Sequence, residues 1–453
     1  MARLNVASHP RAYTHEGGAA FPHMTQIQAL RRSVLSCLLW EGEFYESGVA
    51  IADRIKDLSL TVSFEALGGL AIEARTHFNL RHVPLHLLCS LIKRGGGNSA
   101  TAEAIAAVIQ RPDEMGELLA MYWADKTNKH MIPAQMRKGL DLAFRKFNEY
   151  GLAKYDRDGA VKLRDVLRIV RPKPKDAEQA ALWKRVKDRT LATPDTWEVE
   201  LSGGADKKAT FERLIREGKL GYLALLRNLR NMAQAGCDVD LVKAAIIARK
   251  GGAERVFPFR YVAAARAAPQ FEPALDVALL AAIGEMQPFP GKNVVMVDVS
   301  RSMADKLSAK SDLTRMDAAA SLAAIMPGDV RMFTFSDALV EVAPRRGMAG
   351  VDAVLRSQVH NGTKMFDAIA ALNAQVQYDR LIVITDEQAA HPATGFGWGG
   401  TEQSTLKVCP DPKVRGYMIN VASAKNGVGY GKWTHIDGFS EQVIRFIREV
   451  EAE

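Results

Sequence analysis

From about residue 24 to residue 287 the apolar positions recur three and four apart, the spacing of one helix face, and almost no alternating β-branched run interrupts them. Thr25 with Gln28 forms a capping-box pair ahead of Ile27, Leu30, Val34 and Leu38. Val49, Ala52 and Ile55 continue the pattern in a second helix. Pro133 suits a first helical turn, and the stripe behind it is Met136, Leu140, Ala143, Phe144 and Phe147. Leu220, Leu223, Leu226 and Leu229 predict a further stripe, and Pro258 opens a helix through Tyr261 and Val262.

Helices of this length, joined by short Gly- and Pro-marked turns, bury a face only by stacking on one another. No strict sequence period is present, so the pattern predicts a degenerate HEAT-like array in preference to tetratricopeptide or ankyrin repeats. At Gln287-Pro-Phe-Pro-Gly-Lys-Asn293 the helical pattern stops. Alternating segments follow: strands over 294–298, 330–335, 380–385 and 417–421, with helices near 314–326, 348–357, 365–376 and 440–451. That alternation predicts a doubly wound, mostly parallel sheet. The expected organisation is therefore an all-α domain over 1–290 and an α/β domain over 291–453.

Of the 453 residues 47% are hydrophobic and 25% charged, a globular composition. No apolar stretch approaches the roughly 20 residues that span a bilayer, and the opening residues lack an apolar signal region, so a cytoplasmic protein without a membrane partner is expected. Cys37, Cys89, Cys237 and Cys409 form no Cys-x-x-Cys pair, which argues against a zinc knuckle or a disulfide framework. The charge is uneven: residues 1–290 hold 42 Lys/Arg against 33 Asp/Glu, and residues 291–453 hold 18 against 19. Within 137–189 the balance is 16 against 8, a concentrated pull on polyanions.

Two sets of residues carry candidate chemistry. The strand over 294–298 ends in Asp298-Val-Ser300-Arg-Ser302, Thr363 lies in His360-Asn-Gly-Thr-Lys364, and Asp386 follows Leu381-Ile-Val-Ile-Thr385. Oxygen ligands on loops at strand ends suit a hard divalent cation, with magnesium expected. The same oxygens can also close their loops through local backbone hydrogen bonds. Phosphotransferases with Asp-x-Asp need a second carboxylate where this chain has Ser300, so no enzymatic activity is expected. Gly427-x-Gly-x-Gly431-Lys432 lacks the Ser or Thr of a phosphate loop, and Gly395–Gly400 reads as a loop. His77, His82 and His86 are interrupted by Pro84 and read as packing or capping residues. The basic set has helical order: Arg137 and Arg145 lie on one line, Lys138 and Lys146 on the next, and Arg164, Arg168, Arg171, Lys173 and Lys175 follow.

Met131-Ile-Pro-Ala-Gln-Met-Arg-Lys-Gly139, Leu223-Ala-Leu-Leu-Arg-Asn-Leu-Arg-Asn-Met232, Val256-Phe-Pro-Phe-Arg260 and Asp298-Val-Ser-Arg-Ser-Met303 together resemble the Ro, or TROVE, family of RNA-binding proteins. The resemblance runs from end to end, and 291–453 resembles a von Willebrand factor A domain with its metal-ion-dependent adhesion site. It implies a HEAT-like ring closed by the A domain, and a divalent cation at Asp298, Ser300, Ser302, Thr363 and Asp386 with a position left for a partner's acidic group. It implies small structured Y-type RNA on the outer surface, single-stranded 3′ ends of misfolded noncoding RNA in the hole, and an exoribonuclease tethered through RNA. For RNA only the region carries over, with Arg137, Lys138, Arg145, Lys146, Arg164, Arg168 and Arg171 chosen from charge and phase. The chain departs from animal members at Leu163, where they carry a histidine associated with RNA binding, and its shorter length fits a bacterial or phage version. A monomer is expected.

Overall fold

The computed structural model of the chain describes residues 25–36, 48–95, 97–124, 131–156, 159–256, 258–306 and 313–387, then 406, 408–422, 428, 431–437 and parts of 443–451. These fall into two compact units, one of residues 26–36 and 48–199, the other beginning at residue 200. None of the described helices is long and apolar enough to cross a membrane.

The first unit is all helix, from Gln26–Ser36 to Ala177–Asp188. Adjacent helices pack on each other, Gln26–Ser36 on Gly48–Thr61 and Phe64–Thr76 on His82–Arg94, and a helix also rests on the helix two places further along. Phe64–Thr76 packs on Ala100–Val108, His82–Arg94 on Pro112–Trp123, and Ala100–Val108 on Ala134–Phe144. That is the contact pattern of stacked helix pairs. The helix Ala134–Phe144 buries Met136, Leu140, Ala143 and Phe144, with Phe147 half-buried beyond its end. Pro133 is the residue before the helix instead of lying in its first turn. Gly139 lets this helix approach its neighbour, because a Cβ there would lie 2.7 Å from the Cβ of Ile105. A polar clamp completes the packing: buried Glu114 accepts from Arg75 Nη2 at 2.6 Å and from the backbone of Gln110 and Arg111 at 2.8 and 3.0 Å.

Helices of the second unit repeat the rule. Tyr222–Arg227 packs on Val239–Ala248, Leu229–Gln234 on Pro258–Ala267, and Val239–Ala248 on Glu272–Gly284. The stripe expected over 220–229 is altered here. The buried stripe is Tyr222, Leu225, Leu226, Leu229 and Met232, spaced three and four apart across the two short helices that meet at Asn228, and Leu223 falls on the exposed face.

The sheet that follows has six strands: β1 (Phe289–Asp298), β2 (Gly328–Phe335), β3 (Leu339–Val342), β4 (Arg380–Thr385), β5 (Arg415–Asn420) and β6 (Thr434–Asp437). Their order is β3-β2-β1-β4-β5-β6, and β3 alone runs antiparallel to its neighbour. The expected helices appear as Arg315–Ala324, Gly347–Leu355 and Met365–Gln375. β3 and β6, of four residues each, were not anticipated. β1 begins five residues early, since Phe289 pairs with Gly328 before a register shift at the Pro-Gly segment. The glycine-rich runs over 395–400 and 427–431 and the helix expected over 440–451 lie wholly or largely outside the described residues.

The stacking rule crosses from the helices into the sheet domain. Pro258–Ala267 rests on Arg315–Ala324, and Glu272–Gly284 on Gly347–Leu355. Arg266 holds buried Asp317 through both guanidinium nitrogens at 2.5 Å, and Asp276 accepts from the Met348 backbone at 2.8 Å. Asp317 also caps its own helix, accepting from the Thr314 amide and hydroxyl at 2.8 Å each. Asp317→Ala is expected to remove the ion pair and the cap together at a cost of roughly 3 kcal/mol, and Arg266→Ala, which leaves the buried Asp317 carboxylate without its cation, to cost at least as much. Urea unfolding of the two variants beside the parent checks the order.

Candidate metal centre and nucleic-acid interface

β1 and β4 are parallel neighbours at the centre of the sheet, and the order of the remaining strands departs from them in opposite directions. The loops leaving their carboxyl ends therefore diverge and open a crevice, the usual ligand position in such sheets. Asp298 ends β1, Thr385 ends β4, and Asp386 follows it. Asp298 Oδ2 accepts from the Thr385 hydroxyl at 2.6 Å and Oδ1 from the Ser300 amide at 2.9 Å. The Ser300 and Ser302 hydroxyls are 3.2 Å apart. The loop bearing Thr363 is tied alongside by the Arg301 amide on the Asn361 carbonyl at 3.1 Å and by His360 Nδ1 at 2.8 Å from the Val299 carbonyl. All five expected ligands thus belong to loops at one end of the sheet, and Asp298, Ser300, Thr363 and Asp386 are buried.

Burial, followed by the neighbouring Asp386 charge, pushes the Asp298 carboxyl up to about 7, against the opposing hydrogen bonds from Ser300 and Thr385. Arg315, also buried, brings Nη1 to 3.6 Å from Asp386 Oδ2. Among the described residues no group of three or more His, Cys, Asp or Glu is placed to hold a metal. The donor set is instead two carboxylates with hydroxyls, hard oxygens of the kind magnesium takes, and two carboxylates forced together in a buried crevice are the arrangement a divalent cation relieves.

Beside this crevice lies a group that the sequence did not single out. Glu387 is fully buried in a left-handed backbone conformation (φ 58°), unusual for a side chain of its size. Its amide donates to the Thr385 hydroxyl at 3.0 Å, its carboxylate accepts from Asn420 Nδ2, and Oε1 lies 3.0 Å from His435 Nδ1. The end of β4, the end of β5 and the interior of β6 contribute to this cluster, and only Glu387, next to Asp386, had a neighbour that could have drawn notice.

The expected RNA contacts all fall within the first unit. Arg137 and Lys138 are exposed on the helix face opposite the buried stripe. That helix ends at Phe144, which cuts short the two lines of charge expected to continue through Arg145 and Lys146. Arg145 caps it and pairs with Asp141 at 3.1 and 2.7 Å. Lys146 donates to the carbonyls of Ala106 and Ile109, closing the end of the helix Ala100–Val108, and burial lowers its ammonium pKa. Arg164 is half-buried, Arg168 is exposed 3.6 Å from Asp165, and Arg171 ends its helix in the left-handed region. Leu163 is a core residue, so the position where animal relatives are expected to carry a histidine faces the protein interior here.

A second basic set, in the other unit, was visible only as motif text: Arg227, Arg230 and Arg260 are all exposed. Partial enclosure and then the nearby Arg227 charge hold the Arg260 guanidinium below the ordinary arginine range.

Because the Asp298 carboxyl is raised in the folded chain, its contribution to stability is complete below the unfolded value of about 4 and is lost as pH rises through about 7. Asp298→Asn keeps the shape and removes the charge. In chelator the variant is expected to lose this part of the pH dependence of thermal stability between about pH 4 and 7, measured as melting temperature against pH for both proteins.

Residues 174–282 match the family model of the TROVE domain. Telomerase protein component 1 of Mus musculus is 34% identical over 110 residues, 23% of this chain, and that of Rattus norvegicus is 33% identical over 129 residues, 28% of this chain. The chain covers 4% of the length of each of those relatives. Among solved structures, the Deinococcus radiodurans Ro (RSR) protein matches 94% of this chain and 100% of its own with a TM-score of 0.57 at 18% identity, a likeness of fold. Stacked helices followed by a six-stranded α/β sheet give this chain the fold of that Ro protein, and residues 174–282 of the helical part are similar to the TROVE domain.

Proposed function

We propose that the chain is a non-catalytic RNA-binding component of a ribonucleoprotein, holding its RNA by phosphate contacts and shape. The observation that carries this is the placement of Arg137 and Lys138, exposed on the face of a helix whose other face is core, with Arg168 and Arg171 exposed in the same unit. Such cations gain affinity by releasing the counterions of a phosphate backbone and read no base sequence. The TROVE match and the Ro-like fold support an RNA partner of this kind. In the finer form of the reading, a structured Y-type RNA lies on the outer basic surface and single-stranded 3′ ends of misfolded noncoding RNA thread a central hole, bringing an exoribonuclease through the RNA. Leu163 is buried, so a contact near it falls to Arg164 and Arg168.

The test is filter binding of a structured noncoding RNA and a single-stranded RNA over a salt series. Affinity is expected to fall steeply with salt, and the double variant Arg137→Glu, Lys138→Glu to weaken both RNAs roughly tenfold or more and flatten the salt slope by about 2. Salt-insensitive or absent binding overturns the reading.

A second reading rests on the buried carboxylate pair. A magnesium ion held by Asp298, Ser300, Ser302, Thr363 and Asp386 would leave a coordination position for an acidic side chain of a partner protein. Asp298→Ala is then expected to abolish a magnesium-dependent pull-down while RNA binding persists. Indifference of every pull-down to chelator excludes it.

A further inference from the structure

Asp386 lies between two residues that are fixed from different directions. Thr385 before it is the last paired residue of β4, opposite Asn420, and its carbonyl accepts from the Val421 amide at 2.9 Å. Glu387 after it is fully buried with φ at 58°, a region that a side chain of this size seldom occupies. Its carboxylate is held on the far side of β4 from β1: Oε2 accepts from Nδ2 of Asn420 at the end of β5, and Oε1 lies 3.0 Å from Nδ1 of His435 in β6. We propose that Glu387 is a positioning residue for the crevice, fixing Asp386 and Asp298 for a divalent cation that it does not itself touch. The proposal rests on the reading of the crevice as a metal centre and names what holds that centre in shape.

Two routes carry its effect. The first is the backbone: a residue in the left-handed region turns the chain sharply, so the course of the chain at Asp386 is set for as long as Glu387 keeps that conformation. Local preference opposes it, because a glutamate released from its partners returns to a negative φ. That return would move the peptide joining Glu387 to Asp386, and the Asp386 carboxylate with it. Asn420 resists the movement and is itself fixed, since its Oδ1 accepts from the Ala422 amide at 3.0 Å. The second route is the Thr385 hydroxyl. It accepts from the Glu387 amide at 3.0 Å, which leaves its single proton for Asp298 Oδ2 at 2.6 Å. With Oδ1 taken by the Ser300 amide at 2.9 Å, both oxygens of Asp298 are oriented, and the lone pairs that remain are what it offers a cation.

A merely structural role would be met more easily by other residues. Glycine enters the left-handed region without strain, and an apolar side chain fills a buried space without desolvating a carboxylate. Glu387 combines a disfavoured φ with a buried acid, the pattern of strain held by its surroundings beside a functional site. Side chains that orient metal ligands from behind act in this way, and their loss shows in the affinity for the ion.

The experiment titrates the full chain with Mn2+, which takes the same oxygen ligands as magnesium, and reads the free ion by electron paramagnetic resonance. Glu387→Gly removes the carboxylate and tolerates the positive φ, so the turn stays accessible and nothing holds it. Glu387→Gln keeps the shape, an oxygen for Asn420 and a polar group for His435. The Kd is expected to rise roughly tenfold or more in Glu387→Gly and to stay within about threefold of the parent in Glu387→Gln. Asn420→Ala, which leaves Glu387 in place and takes away its partner, should weaken binding as well, and it decides the matter if circular dichroism shows that Glu387→Gly does not fold. Parent affinity in the folded Glu387→Gly or Asn420→Ala protein overturns the positioning role and leaves the metal centre standing. So does a Glu387→Gln protein that binds as weakly as Glu387→Gly, since the effect is then one of charge. A parent that binds no Mn2+, or an Asp298→Ala variant that binds it equally well, overturns the metal centre itself, and the positioning role with it.

Discussion

The Arg266–Asp317 pair fixes how the helical array meets the sheet domain, and much of the second unit depends on it. Asp317 is 2% exposed, and its two oxygens serve a bidentate guanidinium and the cap of the helix Arg315–Ala324 at once. A buried carboxylate deprived of its cation is costly, so the helix has little freedom to turn or slide. Two residues before Asp317, Arg315 points its guanidinium at Asp386. The position of a cation beside the candidate metal ligands is thereby set by a residue of the helical array.

Stacking each helix on the one two places ahead explains both the length of the array and where its chemistry lies. Short helices with one apolar stripe are unstable alone, and the rule gives each stripe neighbours on either side. An array of this kind needs an end, because its last helices would otherwise expose their apolar faces. Here Arg315–Ala324 and Gly347–Leu355 supply that end from the sheet domain. The faces left over are those opposite the stripes, and Arg137 and Lys138 lie on one of them for the same reason that Met136 and Leu140 are buried.

Legibility in the sequence followed the range of the interactions. Met136, Leu140 and Phe144 announced their helix because the stripe is a local pattern, and β1, β2 and β4 were evident as apolar runs buried on both faces of a parallel sheet. The loops bearing Asp298, Ser300, Ser302, Thr363 and Asp386 stood out because oxygen side chains follow those runs. β3 and β6 are too short to show a period and exist through pairing with β2 and β5. Lys146 looked like a free surface charge, since the carbonyls it serves lie 40 and 37 residues away. Glu387, Asn420 and His435 come from three separate segments, and no spacing rule joins them. Leu223 failed for a local reason, because positions spaced strictly by three drift around a helix of 3.6 residues per turn and the buried stripe runs through Tyr222 and Leu225 instead.

Charge balance at the strand ends bears on which partner the crevice would accept. Asp298 and Asp386 together carry two negative charges when ionised, and Arg315 offers one positive charge at 3.6 Å from Asp386. That guanidinium leaves this pair one charge short of neutrality, and burial, followed by the Asp386 charge, raises the Asp298 carboxyl so that a proton makes up the difference. A divalent cation in place of that proton overshoots by one positive charge in a buried, low-dielectric setting, where an unmatched charge is expensive. A carboxylate arriving from outside restores neutrality. Were a divalent cation bound there, Arg315 would favour an anionic ligand beside it, and Arg315 stands on a helix whose first turn is held by Arg266 of the helical array.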